Sequence, residues 1–178
     1  MNNSSFATRF ARRFPRRSGV VFMKSTPIAL AWYKQSGWEG LHVDAAFFEG
    51  TDFGWWAKVF YVSKFYEFVD TWILILKGKE ASFLQVYHHT GIAIAMWAAC
   101  ASSSNWVVWP VVLNSFIHTL MYTYFAAATM GYRSPLAKML TTMQLTQFVV
   151  GIILSSSTYV YGKASQEQVR SLVLIQVR

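Results

Sequence analysis

Charge is scarce in this chain. Charged side chains make up 13% of its 178 residues, whereas an average soluble domain carries roughly 25%. That leaves too little polar side chain to cover a water-facing surface and excludes an ordinary soluble domain. Cysteine is almost absent. The single Cys100 excludes an internal disulfide, and its place in an apolar run marks it as a small core residue. Acids are outnumbered, 8 against 16 basic residues, for a net charge of +8. Histidines number only 4, and one of them, His42, lies outside the long apolar runs. The remaining three are too few for a membrane di-iron oxygenase or desaturase. No internal repeat is visible, and no low-complexity segment follows the first 18 residues.

What is present is apolar and aromatic. Hydrophobic residues reach 54% and aromatics 17%, with 8 Trp and 9 Tyr, as suits a protein with membrane interfaces to anchor. The basic residues crowd into the N-terminal stretch (Arg9, Arg12, Arg13, Arg16, Arg17) and into connections between apolar runs. This is the pattern of cytosolic loops, not of a soluble nucleic-acid-binding face, so the partner is a lipid bilayer and not nucleic acid.

Taken in order, residues 1–18 hold no acid and read as a disordered basic tail beside a membrane surface, with a composition also similar to a transit peptide. Residues 19–33 are apolar but short, and Lys24 and Pro27 interrupt them. A span needs about 20 residues, so this run does not read as a complete one. Residues 34–53 form a polar connection, so that residues 1–52 are a basic tail plus one apolar segment. Four spans follow, at 54–76, 82–100, 106–130 and 139–161, with Gly131 as a helix stop and a short tail at 163–178. If the spans alternate, the basic connections Lys77–Glu80 and Gly131–Lys138 face the cytosol, and the uncharged turn Ala101–Asn105 faces the other side. The fold class is all-α, a polytopic transmembrane helix bundle.

Each span carries a polar line. Lys64, Glu67, Asp70 and Thr71 fall within an arc of roughly 120° on the first. Lys64 and Glu67 are placed to pair at i, i+3, either as a buried ion pair that fixes packing or as part of a site. Gln85, His88 and His89 share a face on the second span. Asn114, His118 and Tyr122 step by four on the third, within roughly 80°. Thr141, Gln144 and Gln147 step by three on the fourth. Charges inside a bilayer are expensive and mark function, and unpartnered buried polar groups are costly. The four lines are therefore expected to meet around Lys64, Glu67, Asp70, His88, His89 and His118. Metal binding and acyl transfer both suit such a set. Histidine is a metal ligand, but so few histidines argue against a metal centre, and none is expected. Histidine is equally a nucleophile or general base, with a carboxylate to orient it and Lys, Asn or Gln donors to meet developing negative charge.

Four motifs in order resemble the ELO family of fatty-acid elongases, the condensing enzymes of the endoplasmic reticulum. Lys64-x-x-Glu67-x-x-Asp70-Thr71 is similar to the family's K-x-x-E-x-x-D-T. Gln85-Val86-Tyr87-His88-His89 is similar to its histidine box. Asn114-x-x-x-His118-x-x-Met121-Tyr122-x-Tyr124-Phe125 and Thr141-x-x-Gln144-x-x-Gln147-Phe148 are similar to its two later blocks. The resemblance covers about residues 53–162, an elongase transmembrane core. Gln85 stands where the box usually begins with His, a form similar to the branch acting on polyunsaturated chains. Phe125 replaces the usual Tyr.

The resemblance implies a seven-helix fold, of which this chain carries the middle four, truncated at both ends. It implies condensation of a long-chain, polyunsaturated acyl-CoA with malonyl-CoA as co-substrate, giving a 3-oxoacyl-CoA, carbon dioxide and CoA, in a multi-pass protein of the endoplasmic reticulum membrane. It implies that His88 takes the acyl group and that His89 and His118 assist proton transfer and decarboxylation. Lys64, Glu67, Asp70, Thr71, Gln85, Asn114, Tyr122, Gln144 and Gln147 would hold CoA or orient the histidines. No cofactor is implied, because decarboxylation supplies the carbanion, and a homodimer is the oligomer family members often form. The alternatives are a catalytically inactive elongase fragment that binds other membrane proteins, and a transporter whose polar stripes line a path.

Overall fold

A computed structural model describes residues 3–76, 78, 80, 83–132 and 136–161. Among them are six α-helices and no strand: α1 (Asn3–Val43), α2 (Ala45–Glu49), α3 (Phe53–Leu76), α4 (Phe83–Ala101), α5 (Ser115–Thr129) and α6 (Leu136–Tyr161). A 3₁₀ turn at Asn105–Val107 and a π-turn at Pro110–Asn114 lead into α5. The all-α architecture fits long apolar runs, since a helix satisfies its backbone polar groups within the segment when it lies in lipid.

The opening differs from the sequence reading. Residues 1–52 were expected to hold a disordered tail, an incomplete apolar segment and a polar connection, yet α1 is helical from Asn3 to Val43. Residues 3–18 contain no glycine, and the helix runs through their one proline, Pro15, into the apolar run behind them. That run packs on α5, with Phe22 against Phe116 at 5.3 Å between ring centroids. The real break is Gly37, whose φ of 69° and ψ of −169° no helix accommodates and only glycine adopts without strain. It redirects Trp38–Val43 towards the rest of the bundle.

The apolar core sits where α2, α3, α4 and the 105–111 segment converge. Phe47, Phe53, Ala57, Met96, Ala99, Val107 and Val111 are fully enclosed there. Phe47 stacks on Phe53 at 4.5 Å. The approach is so close that a Cβ on Gly54 would lie 2.3 Å from the Phe48 carbonyl oxygen. Chain turns follow glycine and serine chemistry. Gly131 stops α5 with φ 92°, and Ser103 takes φ 48° in the 101–105 turn.

Two stretches among the described residues are long and apolar enough to cross a membrane, Asn105–Ala128 and Met139–Thr158. They correspond to the third and fourth expected spans. The helices of the first and second are present, but α3 carries Lys58, Lys64, Glu67 and Asp70, and α4 carries Gln85, His88 and His89. The side chains that make the candidate site are thus the ones that dilute the apolar signal. Leu145, Val149 and Ile153 of α6 are exposed, as on a lipid-facing surface. Of the two expected cytosolic connections, Lys77, Lys79 and residues 133–135 lie outside the described residues, as does the tail at 163–178.

Candidate functional site

The polar lines of α3, α4, α5 and α6 do face one another. Lys64 is 2% and Glu67 4% exposed. The Lys64 ammonium donates to Glu67 Oε1 at 2.6 Å and to Asn114 Oδ1 at 2.5 Å, and it lies 4.1 Å from the centroid of the Phe60 ring. Three favourable partners offset the cost of removing an ammonium from water. Glu67 Oε1 also lies 3.2 Å from His118 Nδ1. That contact is close enough for attraction but too far off line for a hydrogen bond, and both His118 Nδ1 and Glu67 Oε2 lack a hydrogen-bond partner. The carboxylate is therefore shared between a cation and an imidazole, with one oxygen left for a further donor.

Asn114 owes its place to Pro110. Proline has no N–H to give the carbonyl four residues back. The Trp106 carbonyl instead accepts from Ser155 Oγ at 3.4 Å. The chain takes up the wide π-turn Pro110–Asn114, a local expansion found often at functional sites. The turn delivers Asn114 to Lys64, and the regular helix after it places His118 one turn on. Tyr122 packs against His118 with ring centroids 5.7 Å apart.

The α4 histidines stand at the edge of this network. Thr71 Oγ1 and His89 Nδ1 are 3.4 Å apart. His88 stacks edge-on to Phe148 of α6 at 4.4 Å, and the two histidine rings are 5.6 Å apart. His88 also opens onto a cavity of about 320 Å³ between α4, α6 and the 106–114 segment. Asn114 and Gln147 share that lining, with Phe148, Trp106 and Trp109 among its apolar walls. Gln147 Oε1 is buried there without a partner.

Of the residues singled out from sequence, the structure brings together Lys64, Glu67, Thr71, His88, His89, Asn114, His118, Tyr122 and Gln147. Gln144 is turned elsewhere and donates to Met121 Sδ at 3.0 Å. The side chains of Asp70 and Gln85 lie outside the described residues. Among the described residues no group of three or more His, Cys, Asp or Glu side chains is placed to hold a metal.

Sequence reasoning missed a second polar node. His42, set aside as lying outside the spans, is completely buried. Its Nδ1 lies 2.7 Å from the Trp38 carbonyl, and its Nε2 accepts from the Trp109 indole N–H at 2.9 Å. A carbonyl only accepts and an indole only donates, so the ring proton sits on Nδ1. Trp109 stands near the start of the third expected span. The one available signal was a histidine four residues beyond a tryptophan, and the partners were 67 positions away.

The arrangement sets a histidine, His88, at the mouth of an apolar cavity, with a buried cation and carboxylate among the other members of the site. Comparisons with known proteins give the family. The family model described as ELO: GNS1/SUR4 family matches residues 16–177, so the matched region includes residues 16–52 and 163–177, beyond the stretch covered by the four motifs. Fatty acid elongase 1 of Trypanosoma brucei brucei is 37% identical over 132 residues, 71% of this chain and 43% of that protein. Fatty acid elongase sre1 of Dictyostelium discoideum is 39% identical over 110 residues, 60% of this chain and 40% of its own. Long chain fatty acid elongase 2 of Caenorhabditis elegans is 29% identical over 148 residues, 82% and 52%. The chain thus matches about half or less of the length of these relatives. No solved structure matches it.

Proposed function

The chain belongs to the ELO, or GNS1/SUR4, family, and on that footing we propose that it is a fatty-acid elongase condensing a long-chain acyl-CoA with malonyl-CoA. The observation that carries this reading is His88. It is the one histidine of the site that lines the apolar cavity, where an acyl chain would be desolvated beside it.

In the first half-reaction an imidazole nitrogen of His88 attacks the thioester carbonyl. The C–S bond breaks, CoA leaves as the thiol after taking a proton, and an acyl-imidazole remains. Lys64 and Asn114 supply positive charge and an amide near the carbonyl, where negative charge develops. In the second, malonyl-CoA loses carbon dioxide and its electron pair becomes the carbanion. The carbanion attacks the acyl carbonyl, and the histidine departs with a 3-oxoacyl-CoA formed. His118, beside Glu67, and His89, beside Thr71, are the proton carriers. Asp70, Gln85, Tyr122 and Gln147 orient CoA or the histidines, whereas Gln144, held by Met121, takes no part. The reaction takes no cofactor. The Gln85-x-x-His88-His89 box supports a polyunsaturated acyl substrate, and the family supports a multi-pass protein of the endoplasmic reticulum membrane that pairs as a homodimer.

The test is an elongation assay in yeast microsomes with polyunsaturated acyl-CoA and labelled malonyl-CoA, run beside His88→Ala. Labelled 3-oxoacyl product that disappears in the variant, together with an acyl adduct mapped to His88 by mass spectrometry, is the expected result. Product that persists in His88→Ala would remove the acyl-histidine step. A well-inserted chain that yields no product would refute elongase activity for these residues.

A further inference from the structure

The cavity beside His88 has a direction. At one end α6 presents Phe148, which touches His88. At the other it presents Ser155, which reaches the Trp106 carbonyl. The step of seven residues from one to the other spans about 10 Å of helix. Trp106 and Trp109 belong to that distal end, since side chains of a helix lean towards its start and this segment runs from Trp106 to Asn114. Trp109 is thus a wall of the cavity on one side. On its other side it faces the His42 node, which plays no part in the proposed chemistry.

That node is built with unusual completeness for a residue remote from the reaction. The indole N–H of Trp109 is taken by His42 Nε2 at 2.9 Å. Its ring is flanked by His42 at 5.7 Å and by Trp38 at 5.3 Å between centroids. Ser157 Oγ lies 3.2 Å from the same His42 nitrogen and gives its hydrogen to the Leu154 carbonyl at 2.5 Å. Hydrogen bonds at one imidazole join the stretch after the Gly37 break to the segment before α5, and α6 comes alongside through Ser157. A tryptophan wall left to itself has rotamers that would lengthen or shorten the cavity. Here one hydrogen bond and two ring contacts favour one of them.

We propose that His42 is a positioning residue for chain-length selection, holding the Trp109 indole as the fixed distal wall of the cavity so that the reach from His88 admits acyl chains of one length class. The inference rests on reading the cavity as the seat of the acyl chain. It does not require that the chain be condensed there.

Binding and chemistry are therefore measured separately, on the full chain purified in detergent. Thermal stabilisation is recorded with a ladder of saturated acyl-CoAs rising by one carbon pair from lauroyl to behenoyl. In the wild-type chain, affinity peaks at one length, with neighbours one carbon pair away weaker by roughly tenfold. In His42→Ala and in Trp109→Phe the peak broadens towards longer chains and that discrimination falls to about twofold. His42→Gln, which keeps an acceptor for the indole, recovers the sharp peak. Trp109→Phe puts a smaller ring without an N–H in the wall and so tests the wall itself, while His42→Phe, which keeps a ring at the node and removes only the acceptor for the indole, carries the test if His42→Ala does not fold. A role in stability alone would lower the melting temperature of the free variants and leave the length optimum where it was. That outcome overturns the proposal, as does a wild-type chain that stabilises equally with every length. Length-graded binding without any labelled condensation product would uphold the wall while refuting the elongase reading.

Discussion

Replacing Lys64 with methionine would decide whether the buried pair is packing or chemistry. Lys64 and Glu67 are 2% and 4% exposed, and the ammonium serves both Glu67 and Asn114. Lys64→Met keeps the length and bulk of the side chain and strands the carboxylate. Removing one member of a buried pair costs about 3–5 kcal/mol. For a chain of this size each kcal/mol moves the midpoint by roughly 2–4 °C, so the melting temperature falls by about 6–20 °C. The double variant Lys64→Met, Glu67→Leu removes both charges and should recover most of the loss, because apolar replacements of a buried pair are often neutral or stabilising. The assay is thermal unfolding in detergent, followed by elongation at a temperature where all three forms are folded. If the pair acts on substrate, the double variant is stable and inactive. A single variant melting within about 2 °C of the wild-type chain would refute the energetic argument. A fully active double variant would reduce the pair to a packing device.

Two further predictions are local. Gly54→Ala should destabilise the chain by about 1–3 kcal/mol, because the new methyl meets backbone and not a flexible side chain. An unchanged unfolding midpoint would show that α2 has room to move off α3. Thr71→Val should lower kcat by about tenfold or less with KM unchanged, since the 3.4 Å contact to His89 Nδ1 is worth roughly 1 kcal/mol. A rise in KM alone would reassign Thr71 to substrate binding.

Local periodicity made much of this protein legible before folding. Steps of three and four placed Lys64 with Glu67 and Asn114 with His118 on single helix faces, and apolar runs between glycine and serine turns bounded α3 to α6. The four polar lines shared one necessity, since each needed polar company that lipid does not offer. What was misread lacked such a local signature. Residues 3–18 are polar enough to look unfolded, yet they extend a helix whose apolar continuation is held by α5. Gln144 follows the same step of three as Gln147, but only packing decided that one reaches Met121 and the other the cavity.

The sequence by itself determined the class of the protein, the helices α3 to α6, and which side chains are too polar to face lipid. Those properties depend on composition and on spacing within a turn or two. Tertiary structure alone decided that Glu67 is shared between Lys64 and His118, that His88 rather than His89 lines the cavity, and that His42 holds Trp109. Each of these depends on atoms brought within about 3–4 Å from distant parts of the chain, and no local pattern records a distance between helices.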